Sequence, residues 1–311
     1  GMGSMGVTPA LKKTMLENLE QKLGVHYPQS PGMDTLQCLE SAQDGEIDFA
    51  FLMGGNLYSA TPDSEFADQA LGNIPFKVFL TTTLNEGHFS GLGKNTLILP
   101  VAARDEEKQP TTQESMFNFV RMSDGGIVRL NNVRSEVDII ADIATAIIGN
   151  EKIDFSVFKK HSHIREVIGD IIPGFQNMKT MDETKEEFQI NGRTFHQPEF
   201  ATLDKKAVFT PVQIPVSNEQ NGQFRMASIR SEGQFNTIIY EEYDSFRDIE
   251  NRWMVLMNKN DMDELNILEG SCVSIKNDIG EMNDVYAKSF NIHRGNVATY
   301  FPESNVLIHA E

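Results

Sequence analysis

An apolar run that ends in two glycines and leads into a helix restricts the fold of this chain more than any other feature. Residues 47–55, "IDFAFLMGG", are apolar enough to form a strand covered on both faces, as strands of parallel sheets are. The residues that follow predict a helix over 62–71, with Thr61 as its N-cap, Pro62 at its first position and Gly72 at its exit. A strand that passes directly into a helix indicates an α/β unit.

The segments on either side repeat this alternation. Thr8 and Pro9 begin an amphipathic helix that ends at Gly24, and a second short helix is predicted over 33–43. Two more apolar strands, "FKVFL" and "TLILPVA", follow the helix that ends at Gly72. The alternation predicts a partial doubly wound parallel sheet over residues 7–105.

A helical connector is predicted over residues 106–185. The stretch "ARDEEKQPTTQES" has the composition of a charged linker, and "MFNFVRMSDGGIVRL" suggests a hairpin that turns at Asp124-Gly125. Ser135 caps a helix that ends at Gly149, and another helix is predicted over 162–172 before Pro173.

From residue 186 to residue 311 the pattern changes to short strands and turns. The strand candidates are "EFQINGRTFH" with a turn at Asn191-Gly192, "FRMASIR", "RWMVLMN", "SCVSIKN" and "VATYF". A β-barrel or β-sandwich is the natural interpretation. The expected fold class is therefore α/β plus β.

Composition restricts the function of the chain. A net charge of −18 repels polyanions, and no basic patch offsets it, so no nucleic-acid partner is expected. No apolar run is long enough to cross a bilayer and no signal peptide is visible, so no membrane partner is expected either. Cys38 and Cys272 have the spacing of neither a disulfide framework nor a metal site, which suits a cytoplasmic protein and predicts two small core residues.

Three motifs that suggest chemistry fail on inspection. Gly1, Gly3 and Gly6 match a dinucleotide fingerprint, but no strand precedes them. The stretch "GLGKNT" lacks the first glycine and the final Ser or Thr of a phosphate loop, and a strand follows it instead of preceding it. The "HSH" stretch at 161–163 lacks a third metal ligand, so these histidines are expected to be exposed to solvent.

Two polar segments remain as candidates for a binding site. Gly54 and Gly55 lie where a ligand approaches the carboxyl end of a parallel strand, although two glycines also suit a tight turn. A second polar row follows the strand "FRMASIR" and suits a phosphorylated, multi-ring ligand, for which Arg230 supplies a charged donor. The alternative is a loop whose side chains satisfy its own backbone. The row consists of Arg230, Ser231, Glu232, Gln234, Asn236 and Thr237.

Five stretches occur in a familiar order: "FLMGGNLYSATPDSEFADQAL", "TTTLNEGH", "TLILPVAARDEEKQPTTQES", "IRSEGQFNTIIY" and "GNVATYFPESNVL". In this order the chain resembles formate dehydrogenase alpha-subunit-like oxidoreductases of the molybdopterin bis(guanine dinucleotide) class, from about Met5 to Leu307. The resemblance implies that residues 7–105 are the later half of a Rossmann-like dinucleotide-binding domain. Residues 186–311 would be a C-terminal double-psi β-barrel that closes over two pterin cofactors.

The resemblance also implies binding roles, with no catalytic or metal-ligating residue among them. Bare backbone at the glycines would approach a guanine dinucleotide, with Asp63 near its base or ribose. Three residues would lie at the end of the next strand, four would hold the other cofactor, and Asn305 would complete the enclosure. The cofactor-binding residues implied are Gly54, Gly55, Asn56, Asp63, Thr82, Asn85, His88, Arg230, Gln234, Asn236, Thr237 and Asn305.

Two departures from the family pattern matter. Many relatives end the strand "KVFLTTT" with an aspartate where this chain has Thr81 or Thr82, so guanine recognition is expected to differ there. The family's iron–sulfur cysteines and its metal-ligating Cys or selenocysteine have no counterpart here, because Cys38 and Cys272 match neither role.

The implied function is two-electron transfer at molybdenum or tungsten held by molybdopterin guanine dinucleotide. The catalytic N-terminal region is expected to be a separate partner segment of the same enzyme, to carry any iron–sulfur cluster and to decide the small-molecule substrate. This chain alone is expected to be inactive. Two alternatives stay open: a non-catalytic binding or assembly module that retains the fold, and an unrelated Rossmann-like enzyme that binds NAD.

Overall fold

The structure is a computed structural model that describes residues 13–115, 118–190, 200, 202–213, 222–235 and 240–310. Contacts divide the chain into two compact units, one of residues 1–37 with 100–212 and one of residues 38–99 with 213–311. This grouping differs from the segments 7–105, 106–185 and 186–311, which stay a prediction about domains.

The described residues contain eight α-helices and eleven strands. The helices are α1 (Lys13–Leu23), α2 (Thr35–Gln43), α3 (Leu57–Ala60), α4 (Ser64–Gly72), α5 (Glu136–Ile148), α6 (His161–Ile171), α7 (Met181–Thr184) and α8 (Lys259–Glu264). The strands are β1 (Phe49–Met53), β2 (Phe76–Thr81), β3 (Asn95–Pro100), β4 (Thr111–Glu114), β5 (Phe119–Ser123), β6 (Phe188–Gln189), β7 (Arg225–Ile229), β8 (Met254–Met257), β9 (Cys272–Lys276), β10 (Glu281–Ser289) and β11 (Asn296–Tyr300). Within these residues, no helix combines the length and the apolar character that a bilayer span requires.

Strands β1, β2 and β3 form a small sheet in that order. β1 and β2 are parallel, with Phe49 opposite Phe76 and Met53 opposite Leu80, so their carboxyl ends lie at one edge. The prediction that both faces of β1 are covered is wrong, because Phe49, Phe51 and Met53 are all exposed on one face.

The helix predicted over 62–71 is α4, which begins two residues later, at Ser64. Thr61 closes the short helix α3, and its backbone N–H donates to Leu57 and Tyr58. Asp63 is therefore the N-cap of α4, and its carboxylate accepts from Phe66 N at 3.0 Å. A four-residue helix occupies the polar stretch where the sequence indicates only a turn.

The connector differs from its prediction in two places. The expected charged linker contains β4, which pairs antiparallel with β5 in a sheet of order β4-β5-β6. β5 therefore pairs with the strand before it and not with residues after Gly125, so the hairpin predicted at Asp124-Gly125 is wrong. Gly125 instead permits a close approach, since a Cβ there would lie 2.5 Å from the carbonyl oxygen of Glu107.

Three side chains lie where the sequence did not place them. Cys38 and Cys272 are exposed, contrary to the expectation of core residues, because they lie on the outer faces of α2 and of the edge strand β9. His161 is buried at the start of α6, with Nδ1 at 3.2 Å from the carbonyl oxygen of Pro110, so its predicted exposure is also wrong. The helices predicted after Ser135 and over 162–172 are confirmed as α5 and α6.

The C-terminal sheet has the order β7-β11-β8-β10-β9. β7 and β11 are parallel, as are β8 and β10, while the remaining neighbours are antiparallel. Four of the predicted strands are confirmed as β7, β8, β9 and β11. The strand β6 lies in the other unit, and the turn predicted at Asn191-Gly192 falls outside the described residues. The described chain is thus mixed α/β with several sheets.

Candidate functional site

The carboxyl edge of the β1–β2 pair is formed by glycine backbone. Gly54 and Gly55 have φ of 62° and 72°, in the left-handed region that favours glycine. Gly54 N donates to Leu80 O at 2.8 Å, which extends the parallel ladder by one bond. A Cβ at either glycine would meet nothing within 4 Å. Glycine is therefore required here by the backbone conformation and not by close packing.

A cluster of uncharged hydrogen bonds supports this edge. Asn85 Nδ2 donates to Gly55 O at 3.0 Å, and its Oδ1 accepts from Gly87 N at 3.1 Å. Its backbone N–H donates to His88 Nδ1 at 2.9 Å, so the proton of a neutral His88 ring lies on Nε2. His88 is buried, with its ring edge-on to Phe79 at 4.9 Å between centroids. We call Gly54–Asn56 and Thr82–His88 together the rim.

Two of the predicted site residues cap α-helices. Asn56 Oδ1 accepts from Ser59 N at 3.1 Å at the start of α3, and Asp63 does the same for α4. Both acceptors therefore satisfy backbone donors that a short helix leaves unpaired. Thr82 is exposed on the rim, whereas the hydroxyl of Thr81 donates to Thr83 O at 2.7 Å.

The space beneath the rim is small. It is lined by Gly54, Gly55, Asn56, Asn85 and His88 among others, and encloses about 10 Å³, which is room for about one water molecule. A dinucleotide is far too large for this space. Any such ligand would have to lie across the exposed outer surface of the rim.

The glycines of "GLGKNT" have a steric role. A Cβ on Gly91 would lie 2.6 Å from Leu71 Cβ, and one on Gly93 would lie 1.9 Å from Ile74 O. Gly91 O accepts from the buried Lys77 at 2.6 Å, and its N–H donates to Asp68 at 2.6 Å. Close packing of this loop against α4 accounts for the glycines that resemble a phosphate loop.

The second candidate loop, residues 230–235, follows β7. Arg230 is exposed, and its guanidinium carbon lies 5.2 Å from the centre of the Phe301 ring. Gln234 ties the loop down, because its Nε2 donates to Phe301 O at 2.8 Å and its Oε1 accepts from Ser231 N at 3.1 Å. The other two predicted residues of this row, Asn236 and Thr237, lie outside the described residues.

Arg252 is one residue of this site that the sequence did not reveal. It is buried, and its guanidinium donates to Ser231 Oγ at 2.7 Å, Phe301 O at 2.6 Å and Glu303 Oε1 at 2.6 Å. The guanidinium also lies between two rings, 3.8 Å from the centre of Tyr240 and 4.6 Å from that of Tyr300. The only available signal was an arginine at the start of an apolar strand.

A second buried charge supports the same region. Asp244 accepts from Tyr300 Oη at 2.6 Å and from Arg247 at 2.6 Å. Burial alone would raise the pKa of Asp244, but these hydrogen bonds hold it below its ordinary value. Burial and the bond to Asp244 raise the pKa of the Tyr300 phenol. The pair therefore keeps a charged carboxylate and a neutral phenol near neutral pH.

Asn305 brings the β1 segment and the C-terminal segment together. It is 1% exposed, and its Nδ2 donates to Ser59 O at 2.7 Å and to Thr61 O at 2.8 Å. Its own carbonyl accepts from Asp63 N at 2.9 Å. The predicted residue Asn305 thus lies against the segment that carries Asn56 and Asp63, with its side-chain Nδ2 donating to two backbone carbonyls.

Residues 224–311 match the family model described as Molydopterin dinucleotide binding domain. Nearly the whole chain, 99%, is 29% identical to an uncharacterized oxidoreductase of Mycobacterium tuberculosis, of which it covers 42%. It is also 24% identical to the protein YdeP of Escherichia coli, again over 99% of this chain and over 43% of that protein. The chain therefore spans less than half the length of these curated relatives.

A solved structure shares the fold. Acetylene hydratase from Pelobacter acetylenicus matches 99% of this chain and 46% of its own chain, with a TM-score of 0.61 and 13% identity. The family match confirms the expected molybdopterin dinucleotide-binding domain, and the sequence relatives confirm similarity to oxidoreductases. The formate dehydrogenase-like class and the double-psi barrel stay predictions. Among the described residues, no group of three or more His, Cys, Asp and Glu side chains is placed to hold a metal ion.

Proposed function

We propose that this chain is the cofactor-binding C-terminal portion of a molybdopterin-dependent oxidoreductase of the formate dehydrogenase alpha-subunit-like kind. The observation that carries the proposal is the Molydopterin dinucleotide binding domain match over residues 224–311, which includes the loop that begins at Arg230. The similarity to oxidoreductases over 99% of the chain supports it. The bis(guanine dinucleotide) form of the cofactor, the double-psi barrel and a cytoplasmic location belong to the same proposal.

The exposed groups fit an anionic dinucleotide. The rim offers glycine backbone at Gly54 and Gly55 and the hydroxyl of Thr82, and the second loop offers the cationic side chain of Arg230. Hydroxyls and arginine suit ribose and phosphate groups. The net charge of −18 does not oppose this locally, because surface charge is screened beyond about 8 Å at physiological salt.

The remaining predicted residues have a supporting role in this proposal. Asn56, Asp63, Asn85, His88, Gln234 and Asn305 make hydrogen bonds within the chain that fix the exposed groups. When bound, the cofactor would supply two-electron chemistry at molybdenum or tungsten. This chain would bind and orient the cofactor. The segment that corresponds to the remaining length of the relatives would supply the metal ligand and the substrate site.

The exposed face of β1 supports this partner segment. β1 is an edge strand of its sheet, and Phe49, Phe51 and Met53 are 51%, 39% and 49% exposed. Such a row of large apolar side chains on an edge strand is typical of a surface covered by another part of a protein. We propose that the remaining part of the full-length enzyme covers it.

Cofactor content of the full-length protein tests the function. After expression in a host that makes the cofactor, we expect molybdenum or tungsten, pterin fluorescence and GMP released by acid hydrolysis. Arg230→Ala should lower all three, whereas Arg225→Ala, an exposed arginine at the other end of β7, should not. Absence of metal and pterin from the unmodified protein would contradict the proposal and favour a non-catalytic scaffold.

Thiol labelling tests the partner segment. With Cys38 and Cys272 replaced by serine, Phe51→Cys should react more slowly with a maleimide in the full-length protein than in this chain alone. Leu268→Cys, at a position that is 73% exposed, is the control and should react equally fast in both. Equal labelling of Phe51→Cys in the two proteins would show that nothing covers β1.

A further inference from the structure

One arginine fastens the second loop to the end of the chain. Arg252 donates to Ser231 and Gln234 within the loop 230–235, and to Phe301 O and Glu303 in the terminal segment. A guanidinium has five N–H donors in a planar fork, and here they face acceptors of the chain itself. Arg252 is therefore not a contact for a ligand, but it sets the position of the loop that carries Arg230.

The same terminal segment is hydrogen-bonded to residues 56–63, which follow β1. Asn305, two residues beyond Glu303, donates to Ser59 O and Thr61 O and accepts from Asp63 N. The residues between are held in a 3₁₀ turn, Glu303–Leu307, in which Ser304 and Asn305 are buried. Ser304 Oγ also donates to Tyr300 O at 2.9 Å, which closes the segment on itself. A short, buried and internally bonded segment leaves its two ends little freedom to move independently.

We infer that residues 300–305 act as a strut that couples two loops, residues 230–235 and residues 56–63, with Arg252 and Asn305 as its positioning residues. Its value for binding rests on the proposed function: a dinucleotide site whose loops are already fixed loses less conformational entropy when the ligand binds. Coupling of the loops themselves is a property of the fold. It can therefore be measured without any cofactor.

Hydrogen exchange on this chain tests the coupling. Arg252→Met should speed amide exchange about tenfold in residues 230–235 and also in residues 56–63, which Arg252 does not touch. Asn305→Ala should likewise speed exchange in 230–235. Asp261→Ala is the matched control, because it removes another buried carboxylate that pairs with an arginine, the exposed Arg294, away from both loops.

The outcomes separate clearly. Faster exchange only in the loop that each variant touches would overturn the strut, as would the same pattern in Asp261→Ala. If Arg252→Met does not fold by circular dichroism, Arg252→Lys takes its place, since it keeps the charge but not the planar fork. A smaller acceleration in both loops is then expected, and acceleration in one loop alone would still overturn the coupling.

Nucleotide binding tests the functional half separately. With GMP as the probe, equilibrium dialysis should show weaker binding to Arg252→Lys than to the unmodified chain, by about tenfold, and unchanged binding to Asp261→Ala. Failure of the unmodified chain to bind GMP would count against the proposed function, while the exchange rates decide the strut. Full GMP affinity in Arg252→Lys would show that Arg252 does not position the site.

Discussion

The rim and the Arg252 region both hold a polar loop in place, but by different physical means. The rim relies on glycine backbone and on uncharged bonds such as that from Asn85 to Gly55. The second loop is held by buried charges, chiefly Arg252 with Glu303 and Asp244 with Arg247. The comparison teaches that the first region should depend on backbone conformation and close packing, and that the second should tolerate neither the loss nor the exposure of a charge.

The largest effect is expected from Asp244→Ala in the charged region. Asp244 is fully buried, and its removal takes the acceptor from the Tyr300 hydroxyl and the carboxylate partner from Arg247, which keeps its bond to Arg230 O. Breaking a buried pair by removal of one partner lowers the free energy of unfolding by about 3–5 kcal/mol. Urea denaturation measures this loss.

The control for this variant is Asp263→Ala. Asp263 pairs with Lys259 one helical turn away, with both side chains exposed, so its loss should change the free energy of unfolding by less than about 0.5 kcal/mol. If Asp244→Ala proved as mild as Asp263→Ala, the second loop would not depend on buried charge, and the comparison would fail.

A pair of glycine variants tests the rim and the loop at Gly91 beneath it. Gly91→Ala adds a Cβ that lies 2.6 Å from Leu71 Cβ at a φ of 58°, so both overlap and backbone strain apply, and we expect a loss of about 2–4 kcal/mol. Gly54→Ala has the same kind of φ but open space, so strain alone should cost about 1 kcal/mol. Thermal and urea unfolding of the two proteins give the difference. Equal losses would mean that packing around Gly91 relaxes freely.

Removal of the helix cap Asp63, near the rim, should give a smaller effect. Asp63→Ala removes the acceptor for Phe66 N and places alanine at a φ of 56°, which should lower the free energy of unfolding by about 1–2 kcal/mol. Asp63→Asn keeps the acceptor and tolerates this φ, so its loss should stay below about 0.5 kcal/mol. A large loss in the asparagine variant would show that the negative charge of Asp63 matters, contrary to the comparison.

Local pattern was sufficient to predict a strand that ends at Gly54 and a helix soon after it, whereas Thr82, Asn85 and His88 were implied only by the family resemblance. The apolar run before Gly54 and the apolar pattern of the helix after Asp63 are both visible within a few residues of sequence. Parallel strands place their carboxyl ends at one edge of the sheet. Strand β10 was not predicted. Its alternation is interrupted near Asp284, where the register with β9 shifts and φ is 57°, so the period-two signal is lost.

Buried charges were the main features that the sequence could not reveal. Arg252, Asp244 and Lys77 belong to residue types that are almost always exposed, and only their distant partners make burial possible. The partners of Arg252 lie about twenty residues before it and about fifty residues after it. Local composition does not encode such pairings.

Lys77 is a buried ionisable side chain beneath the rim, and its titration provides the finest test of the comparison. The side chain is fully buried on β2, and its Nζ donates to Leu71 O and to Gly91 O. Burial lowers the pKa of Lys77 to about 8, against a weaker opposing effect of Asp68. The unfolded chain, with a pKa of about 10.4, therefore binds more protons between these two values. Stability should accordingly rise with pH across this window, since the cost of burying the charged form disappears.

The measurement compares urea unfolding of the unmodified chain with that of Lys77→Met, which has a similar length but no charge. From about pH 7 to about pH 9 the unmodified chain should gain about 1 kcal/mol relative to the variant. Lys94→Met, at an exposed lysine, should run parallel to the unmodified chain. Parallel curves for Lys77→Met as well would mean that Lys77 stays charged throughout, held by the two carbonyls. In that case the rim region would keep a buried charge at every pH measured, like those around Arg252, and the contrast between the two regions would be one of degree.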